Sequence, residues 1–352
     1  MTLVELLVVV SIMVILVAIS VPSFKPMLEA QRTGNAARTV ATVLERARVL
    51  AQEKHESVAL EFIRFSEGNA PTLALQMRYI KLPPPYQNSL VHPPLTDYRA
   101  AIEHDGNGKA KIVFYNRLSG VAEPSPSLPQ SRSIQFNFAG RFYEHDENYF
   151  IKSPYDEMET LPPHEFTLSR YGSNAAIAAT MAPPITLLRG TVVDLAFSGF
   201  GEGNCQFQNN PQNTNDPSDR DNINNSRIVI VFSPGGYVDR LYCGHYDSGK
   251  IVRVDHIPGT GELIYFLVGE WDRQVDNNGN PLAEDGRSNL ETPSNFWVTV
   301  NPRTSEIRTA KVAPVPGATQ TMINGDNQAK AKTMRDARRF ATEHFINLGD
   351  NQ

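Results

Sequence analysis

Cysteine is scarce in this chain, with only Cys205 and Cys243 among 352 residues. Two thiols are too few for a tetrahedral metal site built from cysteines. They suffice for one disulfide in an oxidising compartment, and the alternative is a pair of buried thiols that do not react with each other. The sequence leaves both alternatives open.

The chain also lacks an excess of positive charge. Its 33 Lys and Arg residues stand against 38 Asp and Glu residues, which gives a net charge of −5 and an isoelectric point near 5.9. Nucleic acids attract proteins mainly through an excess of positive charge, so we expect no nucleic-acid partner. The apolar content of 41% is that of an ordinary folded protein.

Motifs that carry catalysis are absent from the sequence. The eight histidines do not have the H-E-x-x-H spacing of a zinc protease. Glycines 199, 201 and 203 in "SGFGEGN" lack the Gly-Lys-Ser/Thr of a phosphate-binding loop. No serine lies in a nucleophile elbow. We therefore predict that the chain is not an enzyme.

The first 24 residues contain an apolar run from Leu3 to Phe24 with a single charge, Glu5. A helix of this length can cross a hydrocarbon layer of about 30 Å. The run lacks the basic start and small-residue cleavage site of a secretory signal peptide, so we expect it to be retained. A plain membrane anchor explains the length of the run but leaves Glu5 unexplained.

Glu5 needs a cation, because a carboxylate in apolar surroundings costs several kcal/mol. No Lys or Arg precedes Lys25, so the cation must come from elsewhere. A free α-amine at Met1 of a neighbouring molecule is a suitable partner, since two molecules that are slightly staggered bring the two groups together. This favours assembly over isolated insertion.

After the apolar run the pattern becomes apolar on one side only. The first apolar row follows spacings of three and four: Met27, Ala30, Gly34, Ala37, Ala41 and Leu44. A second row beside it consists of Val40, Val43, Ala47 and Leu50. The pattern predicts helix to about Lys54, with a bundle or an attached domain packed on it. Pro22 and Pro26 predict a kink or local unwinding, or alternatively two helices separated by a short break.

The segment "MTLVELLVVVSIMVILVAISVP" resembles the mature N-terminus of type IV pilins and type II secretion pseudopilins. The resemblance implies that Met1 is methylated after cleavage by a prepilin peptidase, that Glu5 is the assembly glutamate, and that Pro22 is the helix-melting proline. It also implies an assembly ATPase, a platform protein and other copies of the chain as partners. Many members have a glycine where this chain has Val14.

A second resemblance covers the residues that follow. The segment "AARTVATVLERARVLAQEKHESVAL" is similar to the minor pseudopilin of the H type, in which a helix leads directly into the first strand. The segment "IVIVFSPGGYV" resembles the strand-turn-strand near the end of H-type domains. On this basis we expect the family's sheet in the second half of the chain and an elaboration over residues 63–190.

Beyond Lys54 the apolar residues alternate with a period of two between turns rich in Gly, Pro and Asn, which predicts antiparallel strands. We predict an α+β fold, with an N-terminal helix over 1–54, a β-rich part with a Pro-rich connector over 55–190, a β-sheet part over 191–328, and a C-terminal helix and tail over 329–352. One long curved sheet and two separate sheets both fit the pattern. Hairpin turns are predicted at Pro234-Gly235-Gly236 and Pro302-Arg303-Thr304.

The C-terminal helix is predicted to place apolar residues on one face and to pack on the sheet. The residues on this face are Met334, Ala337, Ala341 and Phe345. The basic residues of the helix are expected to be solvated, with binding to an acidic neighbour as the alternative: Lys330, Lys332, Arg335, Arg338 and Arg339.

An oxygen-rich loop near the C-terminal end is a candidate calcium site, because major pseudopilins often hold calcium in a loop at this place. The candidate ligands are Asp272, Asp276, Asn278, Asn280 and Asp285. Pro281 occupies the position where an EF-hand requires glycine, so only an irregular site fits. The alternative is a hydrated loop without metal, and no other cofactor is expected.

These features predict a structural subunit of a type IV pilus-like or pseudopilus filament. We expect it to lie in the bacterial inner membrane as a single-pass precursor and then in an extracellular or periplasmic filament. The alternatives are a minor pseudopilin of a type II secretion system, which the length of the chain favours over a major subunit, or a single-pass membrane-anchored binding protein or enzyme.

Overall fold

The computed structural model describes residues 3–64, 73–81, 97–105, 109–123, 133–136, 142–144, 149–151, 160–169, 179–180, 182–201, 205–207, 228–247, 250–256, 262–275, 281, 283–325 and 327–346. They form three helices and antiparallel sheets, so the α+β class is confirmed. The helices are α1 (Leu3–Lys54), α2 (Ala318–Asn324) and α3 (Asn327–Ile346).

Most strands belong to one large antiparallel sheet. In spatial order its main strands are β16 (Lys250–His256), β15 (Val238–Asp247), β14 (Ile228–Phe232), β1 (Val58–Arg64), β2 (Leu73–Lys81), β12 (Thr191–Phe200), β17 (Ile264–Glu270), β18 (Phe296–Val300) and β19 (Ile307–Lys311). Short strands β10 (Ala179–Thr180) and β11 (Ile185–Thr186) pair with β2, and β13 (Cys205–Gln206) pairs with β12. We call this the main sheet.

The main sheet combines strands that the sequence placed in different parts. Strands β1 and β2 precede residue 190, yet β1 pairs with β14 and β2 pairs with β12. The expectation that residues 63–190 are largely an elaboration is therefore wrong for β2. Both hairpin turns are confirmed: residues 234–236 connect β14 to β15, and residues 302–304 connect β18 to β19.

One face of the main sheet packs against the second part of α1, because alternate residues of each strand point to the same side. On β1 these are Val58, Leu60 and Phe62, which share a core with Val40 and Leu44 of α1. The sheet curls around the helix, since the backbone N–H of Val238 after the β14–β15 turn donates to the carbonyl of Pro302 in the β18–β19 turn at 3.1 Å. Strands from the two halves of the sheet therefore meet near the end of α1.

The opposite face of β17, β18 and β19 packs against α2 and α3. Met334, Ala337 and Ala341 are buried there, as the sequence predicted. The indole Nε1 of Trp297 donates to the carbonyl of Ala337 at 2.9 Å, which fixes the helix to the sheet.

Arg338 corrects the expectation of a solvated basic face on this helix. Its side chain is only 2% exposed and donates to the carbonyls of Phe197 and Gly201, each at 3.1 Å. The guanidinium also lies 4.4 Å from the ring centroid of Tyr265 and 5.5 Å from that of Trp297. Carbonyl oxygens and aromatic faces thus take the place of water.

The described residues between 98 and 169 form two smaller sheets with their own core. The first contains β5 (Ala122–Glu123), β4 (Ala110–Asn116), β3 (Tyr98–His104) and β8 (Leu161–His164), and the second contains β7 (Phe142–Glu144), β6 (Ser133–Phe136) and β9 (Phe166–Ser169). Residues 151–190, whose proline pairs predict an extended connector or an insertion, contain the strands β8, β9, β10 and β11.

Candidate functional site

The first and second parts of helix α1 have different surroundings. In its first part, residues 6–14, every large apolar side chain is 46–63% exposed. This set consists of Leu6, Leu7, Val8, Val9, Val10, Ile12, Met13 and Val14. The hydroxyl of Ser11 donates to the carbonyl of Leu7 at 2.8 Å, so the helix satisfies this polar group itself. We call residues 6–14 the exposed part of α1.

The structure describes little of the three residues that the sequence predicted to act in assembly. Met1 and the side chains of Glu5 and Pro22 are outside the described set, so their predicted roles stay predictions. The backbone at Pro22 and Pro26 is helical. The alternative of two helices separated by a break is therefore not what the structure shows.

Thr33 of α1 is in contact with the loop before β18. The hydroxyl of Thr33 donates to the carbonyl of Ser294 at 2.8 Å, across the gap between the helix and the loop before β18. One residue further on, the ring of Phe296 lies close enough to Gly34 that an added Cβ would be 3.5 Å from it. Met27 and Leu28, one to two turns earlier, are still exposed. Thr33 thus marks the junction between the two parts.

One face of residues 36–51 of α1 is buried against the main sheet, while Arg38, Thr42 and Arg46 remain exposed. Their buried members are Ala36, Ala37, Val40, Val43, Leu44, Ala47 and Ala51. Both apolar rows predicted from the sequence contribute to this face, and the partner is the chain's own sheet. Tyr79 on β2 donates its hydroxyl to the carbonyl of Val43 at 3.2 Å. We call residues 36–51 the enclosed part of α1.

The two hairpin turns of the main sheet hold the end of the enclosed part. Arg48 donates from Nη1 to the carbonyl of Ser305 at 3.3 Å and pairs with Glu45 at 2.7 Å. Gln52 packs on Gly236, where an added Cβ would come within 2.2 Å of its Nε2. Gly236 also has a positive φ of 81°, which disfavours other residues. The helix end is therefore fixed by contacts specific to these turns.

A buried polar cluster that includes Asp194 of β12 was missed by the sequence analysis. Asp194 lies where β12 bulges, because the pairing with β17 shifts between Asp194 and Gly199. Its carboxylate accepts hydrogen bonds from the backbone N–H of Ala196 at 3.0 Å and from Nδ2 of Asn289 at 2.9 Å. Asn289 in turn accepts from the backbone N–H of Glu270 at 2.8 Å.

Burial dominates the electrostatics of this cluster. It raises the pKa of Asp194 to about 6, although the hydrogen bonds from Asn289 and from the backbone of Ala196 and Phe197 favour the charged form. Burial also raises the pKa of Glu270, and the hydrogen bond from Arg273 opposes that shift. The carboxylate of Asp194 is occupied by backbone and amide donors, so we assign it to holding the bulge rather than to catalysis.

The candidate calcium loop is described only in part. Asp276, Asn278 and Asn280 lie outside the described residues. Asp285 accepts two hydrogen bonds from Nη1 of Arg273, at 3.0 and 2.8 Å, and this partner lowers the pKa of the carboxyl. Asp272 lies in a 3-10 turn, Trp271–Arg273. The structure thus gives Asp285 a cationic partner from the chain itself, and calcium binding by the loop stays a prediction.

Cys205 and Cys243 lie on β13 and β15, and these two strands contact each other. Their side chains are outside the described set, so the disulfide and the free thiols both stay open. Within the described residues, no group of three His, Cys, Asp or Glu side chains is arranged to hold a metal ion.

The part of the chain that the structure describes contains no helix that combines the length and the hydropathy of a membrane span. Comparisons with models of protein families, with curated proteins and with solved structures gave no match.

Proposed function

We propose that this chain is a structural subunit of a type IV pilus-like or pseudopilus filament and that it polymerises through α1. The single observation that carries the proposal is the contrast along α1. Its enclosed part is fixed to the main sheet, while its exposed part presents large apolar side chains to the outside. A soluble monomer rarely exposes so continuous an apolar surface, and such surfaces usually mark an interaction site.

In the proposed filament, exposed parts of neighbouring copies pack against one another. Relative to exposure in water, burial of apolar surface contributes about 25 cal/mol per Å², so a bundle of such helices outside the membrane is held by a large, non-directional attraction. An attraction of this kind does not fix the stagger between helices. A directional contact is needed to set the register.

Glu5 is the group proposed to set this register. Its carboxylate lies at the start of the apolar run, where an unpaired charge costs several kcal/mol in apolar surroundings. Pairing with the α-amine of Met1 in a neighbour neutralises both groups and is satisfied at only one stagger. The resemblance of the first 22 residues to pilins and pseudopilins supports the same assignment.

The proposal includes the partners that such a filament requires: a prepilin peptidase, an assembly ATPase and a platform protein. The subunit would lie in the bacterial inner membrane before assembly and in an extracellular or periplasmic filament afterwards. Within this class, we propose a minor subunit, including the minor pseudopilin of a type II secretion system, because 352 residues is long for a major subunit.

The test is the substitution Glu5→Ala in cells that contain the assembly machinery. We expect filaments to be lost or disordered, because the mutant retains the apolar attraction and loses the contact that sets the stagger. Glu53→Ala is a matched control, since Glu53 is an exposed carboxylate on the same helix. Negative-stain electron microscopy of sheared fractions and mass spectrometry of the N-terminus for methylation provide the measurements.

Regular filaments formed by Glu5→Ala at the wild-type level would contradict the proposal. A chain lacking residues 1–30 distinguishes the proposal from the rival hypothesis, in which the protein is a membrane-anchored enzyme or binding protein. Under the proposal this shortened chain remains a soluble monomer and its only lost function is assembly. A catalytic or binding activity that persists in it would favour the rival.

A further inference from the structure

The chain leaves the main sheet and returns to it at one point. Strand β2 ends at Lys81, and on its return the chain pairs Ala179 with Lys81 and Thr180 with Ile80. It then runs back along β2 through β11 to β12. Residues 82–178 thus occupy the position of a hairpin loop between two paired segments.

The described strands within this segment have a core of their own. The residues that form it are Tyr98, Ala100, Ile102, Ala110, Ile112, Phe114, Ile134, Phe136, Ile151, Phe166 and Leu168. Strands from both small sheets contribute, so the two sheets pack face to face. The ring of Phe114 lies 5.0 Å from that of Tyr149 and 5.4 Å from that of Phe166, between ring centroids.

The two ends of this unit come close together, because Ala100 on β3 pairs with His164 on β8. The backbone N–H of Arg117 donates to the carbonyl of Asp97, just before β3, at 2.7 Å. The side chain of the same arginine donates to Glu165, just before β9, at 3.4 Å. A folded unit whose ends are adjacent can be placed in a hairpin at little cost in loop entropy. Strand β7 contacts β16, which joins the unit to the edge of the main sheet.

We propose that residues 98–169 form a separate cooperative folding unit, inserted at one point, which opens or can be replaced while α1 and the main sheet remain folded. A unit of this size buries a smaller fraction of its surface than a larger one and is therefore the less stable of the two. In the proposed filament, the main unit makes the assembly contacts and the inserted unit makes contacts on the outside. Only that last step rests on the proposed function, because folding is measured without filaments.

The test is hydrogen exchange of the full chain in detergent, with two matched substitutions. Phe136→Ala removes a fully buried ring from the inserted unit, and Phe266→Ala removes one from the main core. We expect Phe136→Ala to accelerate exchange at least tenfold in peptides of residues 98–169 and to leave peptides of β12, β17 and β18 unchanged. Phe266→Ala should accelerate exchange in the main sheet and leave residues 98–169 protected.

Acceleration of both units by Phe136→Ala would overturn the inference, and so would its having no effect on either unit. If this variant does not fold, Ile134→Val is the milder probe of the same core. Replacement of residues 82–178 by Asn-Gly is the second measurement, since Lys81 and Ala179 are already paired as the flanks of a two-residue hairpin. We expect an ordered main sheet, and an unfolded product would overturn the proposal. Neither measurement requires filaments, so a failure here is distinguishable from a failure of the proposed function.

Discussion

The exposed and enclosed parts of α1 are both apolar, yet their residue sizes differ. The exposed part consists mainly of Leu, Val, Ile and Met, while four of the seven buried residues of the enclosed part are alanine. Alanine lets a sheet approach the helix closely, and larger apolar side chains provide more area for contact with a partner molecule. In the proposed filament, the size of the apolar residues, more than their number, distinguishes the contact within one chain from the contact made on assembly.

The largest expected effect comes from shortening one leucine in each part. Leu44→Ala should lower the free energy of unfolding by about 2–5 kcal/mol, because it leaves a cavity between α1 and the sheet. Leu7→Ala, the same change in the exposed part, should leave the free energy of unfolding of the monomer nearly unchanged and weaken filaments. Denaturant unfolding in detergent measures the first effect, and filament yield measures the second.

Equal destabilisation of the monomer by both substitutions would break the comparison, since it would mean that Leu7 already has a partner within its own chain. A filament yield unaffected by Leu7→Ala would contradict the proposed role of the exposed part in assembly.

The second prediction concerns β12 of the main sheet, where Asp194 is buried. Its pKa is raised from 3.8 to about 6 in the folded chain. The folded state therefore holds this proton more tightly than the unfolded state, so the contribution to stability is complete below pH 4 and is lost as the pH rises to about 6. Each unit between the two pKa values corresponds to about 1.4 kcal/mol. Asp194→Asn cannot ionise, so the stability should fall less steeply across this window.

Asp285→Asn is the control, because the charged form of Asp285 is expected to stabilise the fold, whereas the charged form of Asp194 is expected to destabilise it. The partner Arg273 lowers the pKa of Asp285, so this carboxylate contributes stability above its ordinary pKa and loses it in acid. Unfolding by denaturant at several pH values between 3 and 7 measures both slopes. An unchanged slope in Asp194→Asn would show that Asp194 is not the group that titrates.

Local patterns predicted the elements that depend on neighbouring residues. The 3.6-residue period of α1 up to Lys54, the alternating strands and the turns at 234–236 and 302–304 can be read from a few adjacent positions. The burial of Met334 and Ala337 also followed from helical spacing. In each case the side chains that decide the element lie within a few residues of it.

The features that the sequence analysis missed depend on residues far apart in the chain. Asp194 and Asn289 are 95 positions apart, and no spacing rule connects them. Arg338 looked like a surface cation because its burial depends on Phe197, Tyr265 and Trp297, which only the folded sheet brings together. The pairing of Lys81 with Ala179 across the inserted unit is equally invisible in local patterns.

The smallest expected effect tests where the enclosed part begins. Gly34 lies within α1, where glycine costs roughly 0.5–1 kcal/mol relative to alanine because of the backbone freedom it loses on folding. A Cβ at this position would lie 3.5 Å from Phe296, which is an ordinary contact. Gly34→Ala should therefore raise the free energy of unfolding by up to about 1 kcal/mol, as measured by denaturant unfolding. A loss of stability instead would show that helix and sheet are in tighter contact at this point than at the rest of the junction, and that the enclosed part starts two residues before its first fully buried alanine, Ala36.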